Sequence, residues 1–260
     1  MSARFADRVA IVTGGGRGIG AATAAAFAAE GGSVGVVDVD ADVVDDVVGK
    51  ITSAGGTALG CVCDVRDHEA VERTVASVVE AYGGLDVLVN NAGIQRYGTV
   101  ESTSLTDWDD VIDINLKGQF LFARYAVPRM RARGGGAIVN VASVQAFATQ
   151  QGVVAYSASK GAIVAMTKTM ALDHAADRIR VNAIAPGSVR TPMLEWAAGK
   201  FVPDDPEGAI ADWGSKHPLG EVITPDQVAR LILFLASDDA SAITGSTHAI
   251  DAGLLAKIGV

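Results

Sequence analysis

The sequence predicts an α/β chain wound as one domain around a parallel β-sheet, and three observations predict it. Short apolar runs alternate with longer amphipathic ones along all 260 residues, the order of strands and helices in a doubly wound fold. The short runs are apolar at nearly every position instead of every second one, as strands covered on both faces are. No Ser/Gly/Pro-rich linker and no internal repeat interrupts the alternation, so a single domain over residues 1–260 is expected.

The elements follow in order. Val9–Thr13 is the first strand, succeeded by a glycine-rich turn and an alanine-rich helix over 18–30. Ser33–Asp38 is the second strand, and a helix over 42–54, a strand over 58–63 and a helix over 69–82 come next. The fourth strand covers 85–90. Helical patterns at 106–131 and 153–175 flank a fifth strand at 136–143, and strands at 179–184 and 246–250 bring the sheet to seven. Residues 191–224 break this rhythm. Gly and Pro punctuate them, with Trp196, Trp213 and His217 scattered between. A long excursion of that kind in a compact domain reads as a lid or binding segment.

Composition narrows the function. Hydrophobic residues make up 49% and charged ones 20%, the balance of a globular chain. Folding at this length buries about three quarters of the surface of the unfolded chain, so no disulfide or metal is needed to hold the core. Aromatic residues are only 5%, which leaves Ala, Val, Ile and Leu to fill it. A net charge of −9 repels phosphate backbones and anionic membrane surfaces, so neither nucleic acid nor membrane is an expected partner. The four arginines within 124–133 fall at the end of a helical pattern, where cations favour the C-terminal pole.

Cys61 and Cys63 are two apart in an apolar run. They share a strand face in poor geometry for a mutual disulfide, and no neighbouring His or Cys completes a zinc site. They read as core thiols of a cytoplasmic protein. The N-terminal stretch carries Arg4, Asp7 and Arg8 where a secretory segment would be apolar, and no run is long enough to span a bilayer.

The chemistry begins at Thr13-Gly14-Gly15-Gly16-Arg17-Gly18-Ile19-Gly20, between the first strand and the first helix. Gly14 allows a tight turn, and Gly18 and Gly20 let backbone and helix approach a pyrophosphate, whose charge the unpaired N–H groups of the helix start would meet. Asp38 ends the second strand 18 residues beyond Gly20. A carboxylate there accepts hydrogen bonds from adenosine ribose hydroxyls and repels a 2′-phosphate, so NAD is expected over NADP. Arg17 pulls mildly toward a 2′-phosphate.

Tyr156 and Lys160 are four apart at the start of a helical stretch and therefore share a face. An ammonium beside a phenol stabilises the phenolate, which would bring the tyrosine toward the range of a general base at neutral pH. Ser143, at the carboxyl edge of the fifth strand, is placed to polarise a carbonyl oxygen.

With these motifs in this order, the chain resembles the short-chain dehydrogenase/reductase family over essentially its whole length. The resemblance implies a Rossmann-like fold and an NAD-dependent exchange of hydride between a nicotinamide and a secondary alcohol or ketone. It implies a catalytic tetrad of Asn115, Ser143, Tyr156 and Lys160. Tyr156 would be the acid/base, Lys160 would depress its pKa and bind the nicotinamide ribose, and Asn115 would hold a proton-relaying water. Asp64 and Val65 fall where the family binds adenine. Asn90-Asn91-Ala92-Gly93 matches its motif at the end of the fourth strand, and Pro186-Gly187 with Val189 and Thr191 matches the segment that holds the nicotinamide. Asp251-Ala252-Gly253 departs from the more frequent Asp-Gly-Gly, which should affect only a C-terminal turn. The resemblance also implies a homotetramer paired through the helices at 109–131 and 153–175, where Ile163, Val164, Met166, Thr167 and Met170 form an apolar stripe that equally suits core packing.

The substrate pocket is expected to draw on Gln95, Arg96, Gln145, Gln150, Glu195, Trp196 and His217. So many amides and charges suit a small molecule with many hydroxyls, a sugar, sugar acid or polyol. The alternatives are a 3-oxoacyl-thioester reductase, whose acidic carrier and NADPH both sit poorly with the −9 charge and Asp38, and a hydroxysteroid-type dehydrogenase.

Overall fold

The computed structural model describes residues 3–257; Met1, Ser2 and residues 258–260 at the end of the C-terminal tail lie outside the described residues. Seven parallel strands form one sheet: β1 Val9–Thr13, β2 Ser33–Asp38, β3 Thr57–Val62, β4 Val87–Asn90, β5 Gly136–Val141, β6 Ile179–Pro186 and β7 Thr247–Ile250, in the order β3-β2-β1-β4-β5-β6-β7. The chain winds outward from β1 to β3, then returns to lay β4 on the other side of β1. That reversal leaves a crevice beyond the carboxyl ends of β1 and β4, where sheets of this kind bind ligands.

Both sheet faces are covered, which is why the strands read as continuous apolar runs. Ala10 and Val12 of β1 face a cluster completed by α1 (Gly18–Ala29), α2 (Ala41–Ser53) and α9 (Pro225–Ala236). Val9 and Ile11 face the opposite cluster, built with α3 (His68–Tyr82), α5 (Gly118–Arg133) and the end of α6 (Val154–Asp173). Cys63 is buried in this second cluster and Cys61 packs against it half-buried; both thiols are free, and burial pushes the Cys61 thiol up to about 11.

Two expectations meet a different structure. The helical pattern at 106–131 is not one helix. It divides into α4 (Leu105–Ile112), a π-helical turn over Asp113–Lys117 and α5. Periodicity does not register the extra residue that a π turn inserts, and such turns gather at functional sites. The excursion at 191–224 is itself largely helical, with α7 (Pro192–Phe201) and α8 (Pro206–Ser215). Its prolines do not break structure: Pro192 and Pro206 stand in the first turn of their helices, where no intrahelical N–H bond is lost. No helix among the described residues is long and apolar enough to cross a membrane.

Candidate active site

The glycine loop is tied down by the end of β4. Thr13 Oγ1 accepts hydrogen bonds from the backbone N–H of Asn91 (3.0 Å) and Ala92 (3.1 Å), and Asn91 Nδ2 donates to the carbonyls of Thr13 and Gly14, each at 3.0 Å. The glycines have separate tasks. Gly14 holds φ +60° and lies so close to Ala92 that a Cβ would stand 2.9 Å from its Cα. Gly18, at φ +52°, makes room for the Thr191 side chain. Gly20 has no space because the first turn of α1 rests on the Gly14 carbonyl. It therefore lets the first turn of α1 pack directly on the loop.

Ile19 is partly buried behind this loop. The helices α2, α3, α4, α7, α8 and α9 all start with a side chain that accepts from a backbone N–H, whereas α1, like α5 and α6, has none. Its first N–H groups stay available for an anion.

Asp38 closes the other side of the loop. Its Oδ2 accepts from the Gly16 N–H (3.1 Å) and its Oδ1 from the Val39 N–H (2.8 Å). A carboxylate offers about four lone-pair positions, so acceptors remain for ribose hydroxyls. Arg17 reaches away from it, with Nη2 at 2.7 Å from Asp40 Oδ2. The Asp64 carboxylate is taken by the Arg66 guanidinium, whose hydrogen bonds hold it below the usual carboxylate range, and Val65 is buried under Gly118.

On the far side of the crevice, Gly187 donates to the Ile250 carbonyl (2.9 Å), Val189 bridges to Ile223, and Thr191 caps α7 by accepting from Leu194 N–H. Pro186 ends β6. His217 is expected in the substrate pocket, yet the structure buries it to 2% exposure. Its Nε2 accepts from the Ser188 N–H (3.3 Å) while Nδ1 stands 3.1 Å from the Trp213 carbonyl, so it pins the segment after β6 and does not line a cavity.

The four residues expected to be catalytic converge between β4, β5 and α6. The π turn carries Asn115 inward, fully buried. Its Oδ1 accepts from Ile94 N–H (2.8 Å), and its Nδ2 donates to the Ile94 carbonyl (3.0 Å) and to Ser159 Oγ (3.1 Å). Ser159 in turn donates to the Tyr156 carbonyl at 2.7 Å. With the side chain engaged on every side, Asn115 acts on this site as a strut between the Ile94 segment and α6. Ser143 lies two residues beyond the end of β5 and caps a short 3₁₀ turn, its Oγ accepting from the Gln145 N–H at 3.2 Å, and its side chain acts to lower the Tyr156 pKa. Lys160 is buried, donates from Nζ to the Val141 carbonyl (2.8 Å), and stands 5.4 Å from the centre of the Tyr156 ring. Gly93 lies beside both, 3.3 Å from Asn115 Oδ1 and 3.7 Å from Lys160 Nζ as measured from the Cβ it lacks.

The acid–base balance differs from the expected one. Burial pushes the Tyr156 phenol up to about 12, with the Ser143 hydrogen bond opposing and the nearby Tyr97 phenol adding to the rise. Burial lowers the Lys160 ammonium to about 8. Lys160 faces the ring and the Val141 carbonyl, not the hydroxyl, so in the free protein desolvation outweighs charge attraction for both groups.

The expected substrate residues separate into groups. Gln95 is half-buried, and Gln145 lies half-buried beside Ser143 with its Oε1 accepting from Thr149 at 3.2 Å. Gln150 is exposed, Arg96 is drawn to Asp107 (3.3 Å), and Glu195 pairs with Arg190 (3.7 Å). Trp196 belongs to an aromatic wall: its ring stacks on Tyr97 at 5.9 Å, and Phe201 meets Tyr97 edge-on at 4.7 Å. Tyr97 and Phe201 escaped the sequence reading. Their only signal was aromatic identity in a chain poor in aromatics, without a spacing to join them. Among the described residues no His, Cys, Asp and Glu cluster could hold a metal ion.

A model of the family described as "Enoyl-(Acyl carrier protein) reductase" matches residues 14–255. The 3-oxoacyl-[acyl-carrier-protein] reductase FabG of Thermotoga maritima is 41% identical over 252 residues, 97% of this chain and 99% of that protein. The chain belongs to the short-chain dehydrogenase/reductase family. The cis-4-hydroxycyclohexanecarboxylate dehydrogenase of Sinomonas cyclohexanicum is another such dehydrogenase, 40% identical over 98% of this chain and all of its own length (100%). The structure of the Thermoplasma acidophilum aldohexose dehydrogenase in ligand-free form superposes with a TM-score of 0.88 at 36% identity, covering 98% of this chain and 96% of that one. The protein is thus a short-chain oxidoreductase acting on alcohol and ketone groups, with a nicotinamide cofactor. The uncapped start of α1 and the free acceptors of Asp38 fit such a group.

Proposed function

We propose that the enzyme passes a hydride between NAD(H) and a secondary alcohol or its ketone on a sugar, sugar acid or polyol. The observation that carries the cofactor choice is Asp38, a carboxylate at the end of β2 hydrogen-bonded to the glycine loop, with Arg17 diverted to Asp40. A 2′-phosphate would face the Asp38 charge with no free guanidinium to offset it. Gly14, Gly18 and the N–H groups around Ile19 and Gly20 would hold the pyrophosphate. Asp64 and Val65 would flank the adenine, Asn91, Ala92 and Gly93 the ribose side, and Pro186, Gly187, Val189 and Thr191 the nicotinamide.

When bound, the nicotinamide supplies and accepts the hydride. The chain manages the proton. In reduction, Tyr156, protonated at neutral pH by its high pKa, gives its hydroxyl proton to the carbonyl oxygen as negative charge grows there. Ser143 donates a hydrogen bond to the same oxygen. In oxidation the phenolate removes the alcohol proton, and the Lys160 ammonium stabilises that phenolate once a ligand orders the site.

The polyhydroxylated substrate is supported by the amides of Gln95, Gln145 and Gln150 and by the Tyr97–Trp196 wall, since aromatic faces pack well against the C–H face of a sugar ring. The same wall favours a second reading, an alicyclic alcohol with Arg96 no longer needed in the pocket. A homotetramer accords with the outward faces of α5 and α6, where Phe120 is 50% and Leu172 81% exposed. A cytoplasmic location accords with two free thiols.

The test is nicotinamide absorbance with NAD and NADP across aldoses, sugar acids, polyols, cyclic alcohols, β-hydroxy thioesters and hydroxysteroids. Turnover of a polyhydroxylated compound with NAD is expected, and Tyr156→Phe should remove at least about a hundredfold of it while NADH still binds. Turnover confined to thioesters or to NADP would overturn the substrate class or the Asp38 argument.

A further inference from the structure

The ammonium of Lys200, at the end of α7, lies over three aromatic rings at once: 5.2 Å from the centre of Tyr97, 5.1 Å from Trp196 and 5.9 Å from Phe201. Cation–π attraction holds it there, but rings satisfy none of the three N–H donors of an ammonium. No carboxylate among the described residues pairs with it. Of the acids around it in the chain, Glu195 and Glu207 stand 3.7 Å and 2.7 Å from Arg190, Asp205 caps α8, and Asp204 forms no ion pair with it. The wall that carries Lys200 also abuts the start of the catalytic helix: Gly98, next to Tyr97, donates to the Gly152 carbonyl at 2.8 Å and bridges to Val153, three residues before Tyr156, and the Tyr97 phenol adds to the rise of the Tyr156 pKa. An exposed cation with free donors thus stands on an aromatic wall that begins beside the start of α6, in a protein whose net charge is −9. Its field there attracts what the rest of the surface repels.

We propose that Lys200 is an anion subsite of the substrate pocket: the substrate carries a carboxylate at the end remote from its carbinol carbon, which Lys200 binds while its ring lies on Tyr97, Trp196 and Phe201. This rests on the dehydrogenase reading above and narrows it to hydroxy acids and keto acids with a ring or ring-sized spacer. Lys200 is exposed and Trp196 and Phe201 are 48% and 51% exposed, so the ammonium can reach an incoming anion and add a charge-assisted hydrogen bond to the ring contact.

Binding to the NADH-loaded enzyme is measured by calorimetry with two unreactive probes of one shape, cyclohexanecarboxylate and cyclohexanecarboxamide. The carboxylate should bind about tenfold more tightly, a preference that fades with added salt. Lys200→Gln should bring the ratio of the two probes close to one, and Lys200→Arg should restore it. Equal binding of the two probes to the parent enzyme, or a ratio untouched by Lys200→Gln, overturns the subsite. The parallel turnover assay uses 4-hydroxycyclohexanecarboxylate and its methyl ester with NAD. Turnover of the ester alone, or of both at equal KM, leaves the dehydrogenase intact and removes the subsite. Absence of all turnover across the wider panel, with the probe ratio still dependent on Lys200, overturns the dehydrogenase reading and leaves the anion site standing.

Discussion

Lys160 holds its ammonium 5.4 Å from the centre of the Tyr156 ring and spends one donor on the Val141 carbonyl at 2.8 Å. The two residues are coupled through burial more than through a direct contact, and each is pushed toward its neutral form: Tyr156 to about 12 and Lys160 to about 8.

That pairing sets the pH dependence. The first proton to leave the pair comes off near 8, from Lys160. Once the pair has lost one proton, the one that remains can pass from Tyr156 to Lys160 as the alcohol binds, so alcohol oxidation should rise as pH climbs through about 8, and ketone reduction, which consumes a proton, should fall over the same range. Initial rates in both directions against pH check this, and a flat oxidation profile would contradict it.

Stability should respond to Lys160 with a definite sign. Its folded pKa lies below its unfolded value, so the folded chain binds fewer protons between about 8 and 10.5 and stability rises with pH across that window. Tyr156, raised from 10.0 to about 12, binds its proton more tightly when folded, which reverses the trend above 10. Lys160→Met should stabilise the free protein at neutral pH by on the order of 2 kcal/mol while abolishing turnover. Val141 keeps a donor in Gln119 Nε2 at 3.4 Å, so no carbonyl is orphaned. Urea unfolding of the variant decides the sign.

Asn115 joins the Ile94 backbone to Ser159, three hydrogen bonds at 2.8 to 3.1 Å with no water needed to complete them. Asn115→Ala would strand the Ile94 N–H and carbonyl in the interior. A loss of about 3 kcal/mol is expected, together with a fall in kcat as α6 loosens beneath Tyr156. Denaturant midpoints and kcat measured on one preparation report both.

Two exchanges of glycine and alanine should act in opposite directions. Gly20→Ala drives a Cβ into the Gly14 carbonyl, so the loop must open, and loss of NADH binding with a destabilisation of about 3 kcal/mol is expected. Ala252 sits at φ +49°, a left-handed conformation that costs an L-residue energy, and Ala252→Gly should stabilise by about 1 kcal/mol without touching activity. Ala252 lies in the turn after β7, where the departure from Asp-Gly-Gly at 251–253 is expected to act. Thermal melts of both variants check the pair.

Much of the architecture and the identities at the site were legible in the sequence because they depend on local order. Continuous apolar runs mark β1 and β4 as covered on both faces, glycines at 14, 18 and 20 mark a turn into a helix, and a spacing of four puts Tyr156 and Lys160 on one face of α6. Such features need only neighbouring residues. What tertiary structure decided was everything set by distant segments meeting. The π turn that buries Asn115 answers to packing of α4 and of the turn itself against α6. His217 became a clasp for Ser188, and Gly20 a seat for α1. The environment of Tyr156 is set by burial, so its pKa went up where an i, i+4 lysine alone would bring it down. Tyr97 and Lys200, a hundred residues apart in the chain, share one wall because the end of β4 and α7 close over the same crevice. Spacing along a chain reports which side chains share a face, whereas desolvation and contact depend on what the rest of the fold lays against that face.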